Sequence, residues 1–534
     1  MRLLAALAAL VLLSTSCARS GAGAAPPGDS LIWAVETEPV TFNPHVWTQN
    51  KARLLVFNQF DALVARDRTG AFIPWLATSW KIADDGLTYT FRLRDDVTFH
   101  DGEKFDAAAV KANLDQFRVP GYNPAAVAVQ LDAFAGADVL DPATVRIRLK
   151  RPDGLFLDFL ASPHGAQVSP KSLRTARDLK AGGPDVVGTG PFILDRYVKG
   201  QEVRYRRNPA YAWAPAGAAH QGPAHLGEIT YRFLPEAAVR VGALTSGQVQ
   251  VIEGVPATEI GLVEKDPNLV FASALNSGTA FSYYFNTARP PFDDKRVRQA
   301  FREAVDVDRV LASVYQGRAA RAWSVLAQSG PFYDPGLAGG YSGDAAKAAS
   351  LLDAAGWSER DAEGYRIKDG RRLTVRMVTS APYVRDRRDV LAQAVQAQVK
   401  QSAGIDFRIT AADQGSAQRA WDAGDYEVFE NSRGDTDGGS ALNLIFTSDG
   451  PINRTKYTDE RLDSWLATAA SGVKNADRRE LYARVQRLVV AEEALVLPLY
   501  VPSDQLASRT GVQGLGFDPV SGTPASAYDV RVAA

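Results

Sequence analysis

Apolar and polar positions alternate most clearly over residues 80–93. Trp80 and Ile82 alternate with polar neighbours, Asp85-Gly86 supplies a tight-turn dipeptide, and Tyr89, Phe91 and Leu93 alternate again beyond it; this predicts a β-hairpin. After a second turn at Asp101-Gly102, Asp106 stands where it can N-cap a helix carrying Val110, Leu114 and Phe117 on one face. The same two periods recur down the chain. Leu31, Trp33 and Val35 read as a first strand, 144–149 as another, and Leu373, Val375 and Met377 as one more. Helical spacing marks 52–63, 239–244, 345–357, 388–401, 459–470 and 477–493, the last with Leu481, Val485, Leu488 and Val489 on one face. Val297, Phe301, Ala304 and Val305 form a helical apolar stripe that belongs in a core.

A chain of 534 residues is too long for one ordinary core, so two or three domains are expected. Lys and Arg number 60 against 61 Asp and Glu, and that balance argues against a nucleic-acid groove or a polybasic membrane patch. The first 17 residues change the picture. Arg2 precedes an apolar run over 3–13, which ends in Ser14-Thr15-Ser16-Cys17. This run is far shorter than the ~20 residues of a spanning helix, and the segment reads as an export signal. Cys17 is the only cysteine, so no disulfide can form within one chain. Its place just after a signal core resembles the lipid-modified cysteine of a bacterial lipoprotein; the alternative is a chance cysteine in a discarded leader. The usual apolar residue three before such a cysteine is here Ser14. A Gly/Ala/Pro-rich stretch over 18–28 then reads as a flexible tether.

Several quoted stretches carry a family resemblance. They are Pro74, Leu76, Ala77, Trp80, Asp85-Gly86, Phe91, Leu93-Arg94, Phe99-His100-Asp101-Gly102 and Ala107 to Val110, then Val187-Gly188-Thr189-Gly190-Pro191-Phe192, Tyr283-Tyr284-Phe285-Asn286-Thr287, Pro290-Pro291-Phe292 and Gly356-Trp357. Together they resemble the bacterial extracellular solute-binding proteins of family 5, which include oligopeptide-, dipeptide- and nickel-binding proteins of ABC importers. The resemblance implies an α/β, two-lobed, type II periplasmic-binding-protein-like fold with a ligand cleft between lobes. Lobe I would combine 29–57, 186–275 and 498–534, an extra subdomain would occupy 58–185, and lobe II would span 276–497. It also implies a monomeric, lipid-anchored receptor on the outer face of the cell membrane. Such a receptor captures a peptide or peptide-like solute by lobe closure and hands it to ABC permease subunits driven by a separate ATPase. A receptor for a metal chelate or siderophore, or a surface sensor of the same fold, are the alternatives.

The resemblance also points to site residues. In peptide-binding relatives an aspartate in the segment matching 426–446 takes the ligand's α-ammonium, and Asp435 matches best, with Asp437 second. Relatives tend to carry Trp two or three residues earlier, where this chain has Ser432 and Arg433. Arg433 could present a planar fork to a ligand carboxylate or phosphate, or neutralise Asp435; a solvated acidic turn is the plain alternative. Tyr283 and Tyr284 are candidates for lining the ligand, and Thr37, Glu38 and Pro39 end the first strand beside a loop that borders the cleft in relatives. His45 stands alone in a turn and reads as a solvated residue, as does the loop with His220 and His225, which no Cys or third His joins. The glycines of 187–192 read as supplying unusual backbone angles for a sharp return into a sheet; with no Lys-Ser/Thr continuation they do not form a phosphate loop. Neither HExxH nor a Gly-x-Ser-x-Gly elbow occurs, so no catalytic residue, metal or cofactor is expected.

Overall fold

The computed structural model describes residues 29–46, 53–122, 124–380, 386–434, 436–472 and 475–533. Cys17 and Asp435 lie outside these residues. Within them the hairpin forms from Ala77–Ile82 and Thr88–Leu93, with Trp80 opposite Phe91 and Ile82 opposite Tyr89. Gly86 makes the turn at φ +69°, a conformation that costs a residue without Cβ little. Thr144–Leu149 and Phe134–Asp141 complete a four-stranded sheet. The Asp106 carboxylate accepts from the Ala109 amide at 2.9 Å and caps Ala107–Gln116, whose Val110 and Leu114 are buried.

Two larger sheets carry the rest. A seven-stranded sheet runs in the order Leu269–Leu275, Ser503–Arg509, Val251–Glu253, Ser30–Val35, Glu228–Phe233, Glu202–Arg207, Phe192–Val198. Its central strand Ser30–Val35 lies parallel to both neighbours. A six-stranded sheet runs Ala320–Arg321, Val496–Val501, Phe281–Phe285, Val428–Asn431, Thr374–Ser380, Asp406–Ala412. The first sheet and the four-stranded one share a core that includes Trp33, Phe91 and Tyr231, whereas the second has its own, built on Phe285, Phe301 and Phe407. The chain crosses between the large sheets twice, after Leu275 and at Pro502. Val496–Val501 pairs with Phe281–Phe285, so the second crossing falls a few residues beyond the expected boundary at 497/498. The two crossings are bonded to each other: the Asn276 amide donates to Pro502 O at 2.8 Å, and Asn276 Nδ2 donates to Asp504 Oδ2 at 3.0 Å.

Three local expectations are corrected. Of the helix read over 52–63 the described residues form Arg53–Gln59, which ends there because the chain beyond it is held against the glycine loop. Gly188 and Gly190 adopt no positive φ. They are required by close approach instead, since a Cβ at Gly190 would stand 2.5 Å from Gln59 C and one at Gly188 2.3 Å from Gln59 O. His45 is wholly buried, its ring nitrogens 3.0 Å from Tyr122 Oη and from Ala166 O, and burial pushes its pKa down to about 4.

Candidate functional site

Between the lobes lies a cleft with two chambers that meet at Pro524. The smaller, of about 420 Å³, sits at the second crossing. Lobe I supplies Glu36, Arg240 and Glu253 to it, and lobe II supplies Tyr315, Arg318 and Tyr500. The larger, of about 820 Å³, is enclosed by Arg53, Phe57 and Trp75, by the 65–69 turn, by Asp158 of the helix Phe156–Ala161, by 516–529, and by Thr436 from lobe II.

The larger chamber is an aromatic box with charged corners. Phe57 and Trp75 pack in a tilted pair with centroids 5.7 Å apart. One turn before Phe57 on the same helix face, Arg53 lays its guanidinium 5.1 Å from the Phe57 ring centre, as an i, i+4 pair does. Arg66 is ion-paired to Asp158 and lies over the Phe72 ring. Asp67 accepts from Thr69 and Ala71 within its own turn. Asp518 Oδ1 accepts from Ser521 and Val520. Burial acts to raise the Asp518 pKa, but the Arg53 charge and those bonds outweigh it and hold the carboxyl below its ordinary value. Burial lowers the Arg53 pKa, offset in part by Asp518.

The His220 loop forms part of this wall rather than standing free in solvent. His220 stacks on Tyr528 at 4.2 Å and its Nδ1 lies 3.0 Å from Asp529 Oδ1; Tyr528 and Asp529 both face the chamber.

The residues singled out in the sequence fall in different places. Thr37, Glu38 and Pro39 line neither chamber, whereas their neighbour Glu36 does. Glu38 instead accepts from Tyr197 Oη at 2.5 Å and from the Gly200 amide at 2.8 Å. Tyr283 and Tyr284 are buried in the lobe II core. Arg433 is half-buried and lines neither chamber; its backbone pairs with Thr279, N to Oγ1 at 2.8 Å and O from N at 2.9 Å, which ties 433 to the first crossing. Asp437 makes a buried ion pair with Arg478 at 2.6 Å and accepts from the Gly439 amide at 2.9 Å. Thr436, next to Asp435, reaches the larger chamber and donates to Asp158 Oδ1 at 3.4 Å across the cleft. Arg53, Trp75 and Asp158 were not legible as site residues, because no local pattern separates them from core and surface positions. Among the described residues no group of three His, Cys, Asp or Glu is arranged to hold a metal ion, and no helix is long and apolar enough to cross a membrane.

Two lobes joined by paired crossings around a ligand-sized cleft define a two-lobed solute receptor. The chain belongs to the bacterial extracellular solute-binding proteins, family 5, whose middle-region model matches residues 71–452; these are the substrate-binding components of ABC importers, not enzymes. Among its relatives, the glutathione-binding protein GsiB of Salmonella paratyphi A is 29% identical over 513 residues, covering 92% of this chain and 93% of that one. Among solved structures, NikA from Brucella suis in complex with Fe(III)-EDTA superposes with a TM-score of 0.80 at 26% identity, covering 92% of this chain and 98% of that one. The oligopeptide-binding protein AppA from Bacillus subtilis, in complex with a nonapeptide, shares the fold at a TM-score of 0.76 and 21% identity, covering 95% and 99%.

Proposed function

We propose that this protein captures a peptide or peptide-like solute in the larger chamber and delivers it to the permease subunits of an ABC importer. The observation that carries this reading is the chamber itself: about 820 Å³, aromatic and charged, walled by lobe I and reached from lobe II by Thr436. A ligand touching both lobes binds the closed state better and so makes it the majority. Glutathione, named for the GsiB relatives, is a tripeptide with charged termini, which suits walls of this kind. Asp435 is the anchor for a ligand ammonium, next to the chamber-lining Thr436. Replacing Asp435 with Ala should weaken binding by ~2 kcal/mol or more if a buried cation loses its carboxylate. A lipid on Cys17 would hold the receptor at the membrane.

The direct test is mass spectrometry of small molecules released from the purified protein. Short peptides would support the reading, and a single non-peptide compound would refute it. The likeness to NikA with Fe(III)-EDTA favours one second reading, a chelate receptor, for which the released compound would carry metal.

A further inference from the structure

Arg53 is the unexplained charge in the larger chamber. Its residue is 9% exposed, and among the described residues its one ion-pair partner is Asp518 Oδ2 at 3.8 Å, beyond hydrogen-bond reach. Among the described residues no hydrogen bond to its guanidinium exists. The other arginines of the two chambers differ: Arg68 is exposed to solvent, Arg387 donates to Val314 O at 3.0 Å, and the rest are held as well. Arg66 is paired with Asp158 and bonded to Gly70 O, Arg240 donates to four backbone carbonyls, and Arg318 makes a two-pronged pair with Glu264 at 2.8 and 2.9 Å. Arg53 is held in place by the Phe57 ring, leaving its fork turned to the chamber with its donors open. A buried guanidinium in this state is costly unless a partner arrives with the ligand, and a planar fork matches a carboxylate with two parallel bonds.

We infer that Arg53 is the specificity-determining residue for an anionic group on the ligand, so that this receptor selects solutes bearing a carboxylate at the end that enters lobe I. The inference rests on the larger chamber being the ligand site. Asp518 leaves that fork open: its Oδ1 is committed to its own turn and its Oδ2 faces Arg53 only at 3.8 Å, so the guanidinium's donors remain for an arriving carboxylate. A neutral amide in the same place would meet Arg53 with one acceptor and bring no compensating charge.

The test uses matched acid and amide pairs in equilibrium dialysis against the purified protein, quantified by mass spectrometry: trialanine and its amide, glutathione and its diamide, and tricarballylate and tricarballylamide. The wild-type protein should retain the acid member of at least one pair tenfold or more over its amide. Arg53→Gln should reduce that ratio below threefold, and Arg53→Lys, which keeps the charge but not the fork, should lower it at least threefold without abolishing it. Thermal unfolding checks that each variant folds; if the Gln variant does not, the Lys variant decides. Retention of no acid member, equal retention of acids and amides, or an unchanged ratio in a folded variant would each overturn the role of Arg53. A preference confined to tricarballylate would leave Arg53 standing and refute the peptide reading. Peptides held as well as their amides would do the reverse.

Discussion

Glu430 sits opposite Tyr283 in the strand pair of lobe II, and burial, opposed by the Arg388 charge, raises its carboxyl to about 7. In the unfolded chain a glutamate titrates near 4.3, so between the two values the native state keeps a proton that the unfolded state releases. Stability from this group therefore falls as pH rises from the unfolded value to about 7 and stays lost above it. Glu430→Gln should raise stability at pH 8 by on the order of 2 kcal/mol and change little at pH 4. Urea midpoints at the two values check this, and an equal shift at both would contradict it. Asp437 makes the contrasting case, since its partner Arg478 lies 41 residues on and no local pattern announces the pair. Asp437→Ala should destabilise the ligand-free protein by about 3 kcal/mol, the cost of leaving a buried guanidinium without its carboxylate. A ligand contact would lose affinity and leave ligand-free stability alone.

At the scale of elements, the glycine loop shows how close approach differs from backbone freedom. Gly190 donates to Gln59 O at 2.9 Å, and the backbone of Gln59 occupies the space a Cβ would need. Gly190→Ala should therefore destabilise lobe I by roughly 1–3 kcal/mol as an overpacked site, visible as a lower thermal midpoint; an unchanged midpoint would show that the loop relaxes freely. The sequence could not separate the two uses of glycine, because sterics between segments more than a hundred residues apart leave no local trace. Regular elements were more legible. The 80–93 hairpin, the Asp106 cap and the first strand follow from alternation, turn chemistry and capping, which act within a few residues. The 477–493 helix was legible in extent but not in form, since Asn475–Gln486 is α-helical and Arg487–Glu492 opens into a π-helix. Chamber residues were the least legible, because Arg53 gains its meaning only from Asp518 and the open chamber.

For the molecule as a whole, the two lobes are in contact on both sides of the cleft, and one contact is unusually intolerant. The Gly154 amide of the extra subdomain donates to Ala470 O at 2.9 Å, at the end of the lobe II helix Glu460–Ser471. A Cβ on Gly154 would stand 1.8 Å from Gly472 O, far inside contact distance and against backbone that cannot swing away. Other bridges among the described residues include Ser277 N to Ser521 O at 3.1 Å, Thr436 to Asp158 and the half-exposed Arg318–Glu264 pair, and pairs of the last kind contribute ~0–1 kcal/mol each. Closure thus depends on the fit at Gly154 more than on charge. Gly154→Ala should leave each lobe folded but bar the subdomain from seating on lobe II, so thermal unfolding changes little while affinity for the released solute falls about tenfold, or ~1.4 kcal/mol. Small-angle scattering with solute present should show the variant remaining extended where the wild type contracts. If the variant contracts and binds as the wild type does, the lobes close along another path and Gly154 is only a surface contact.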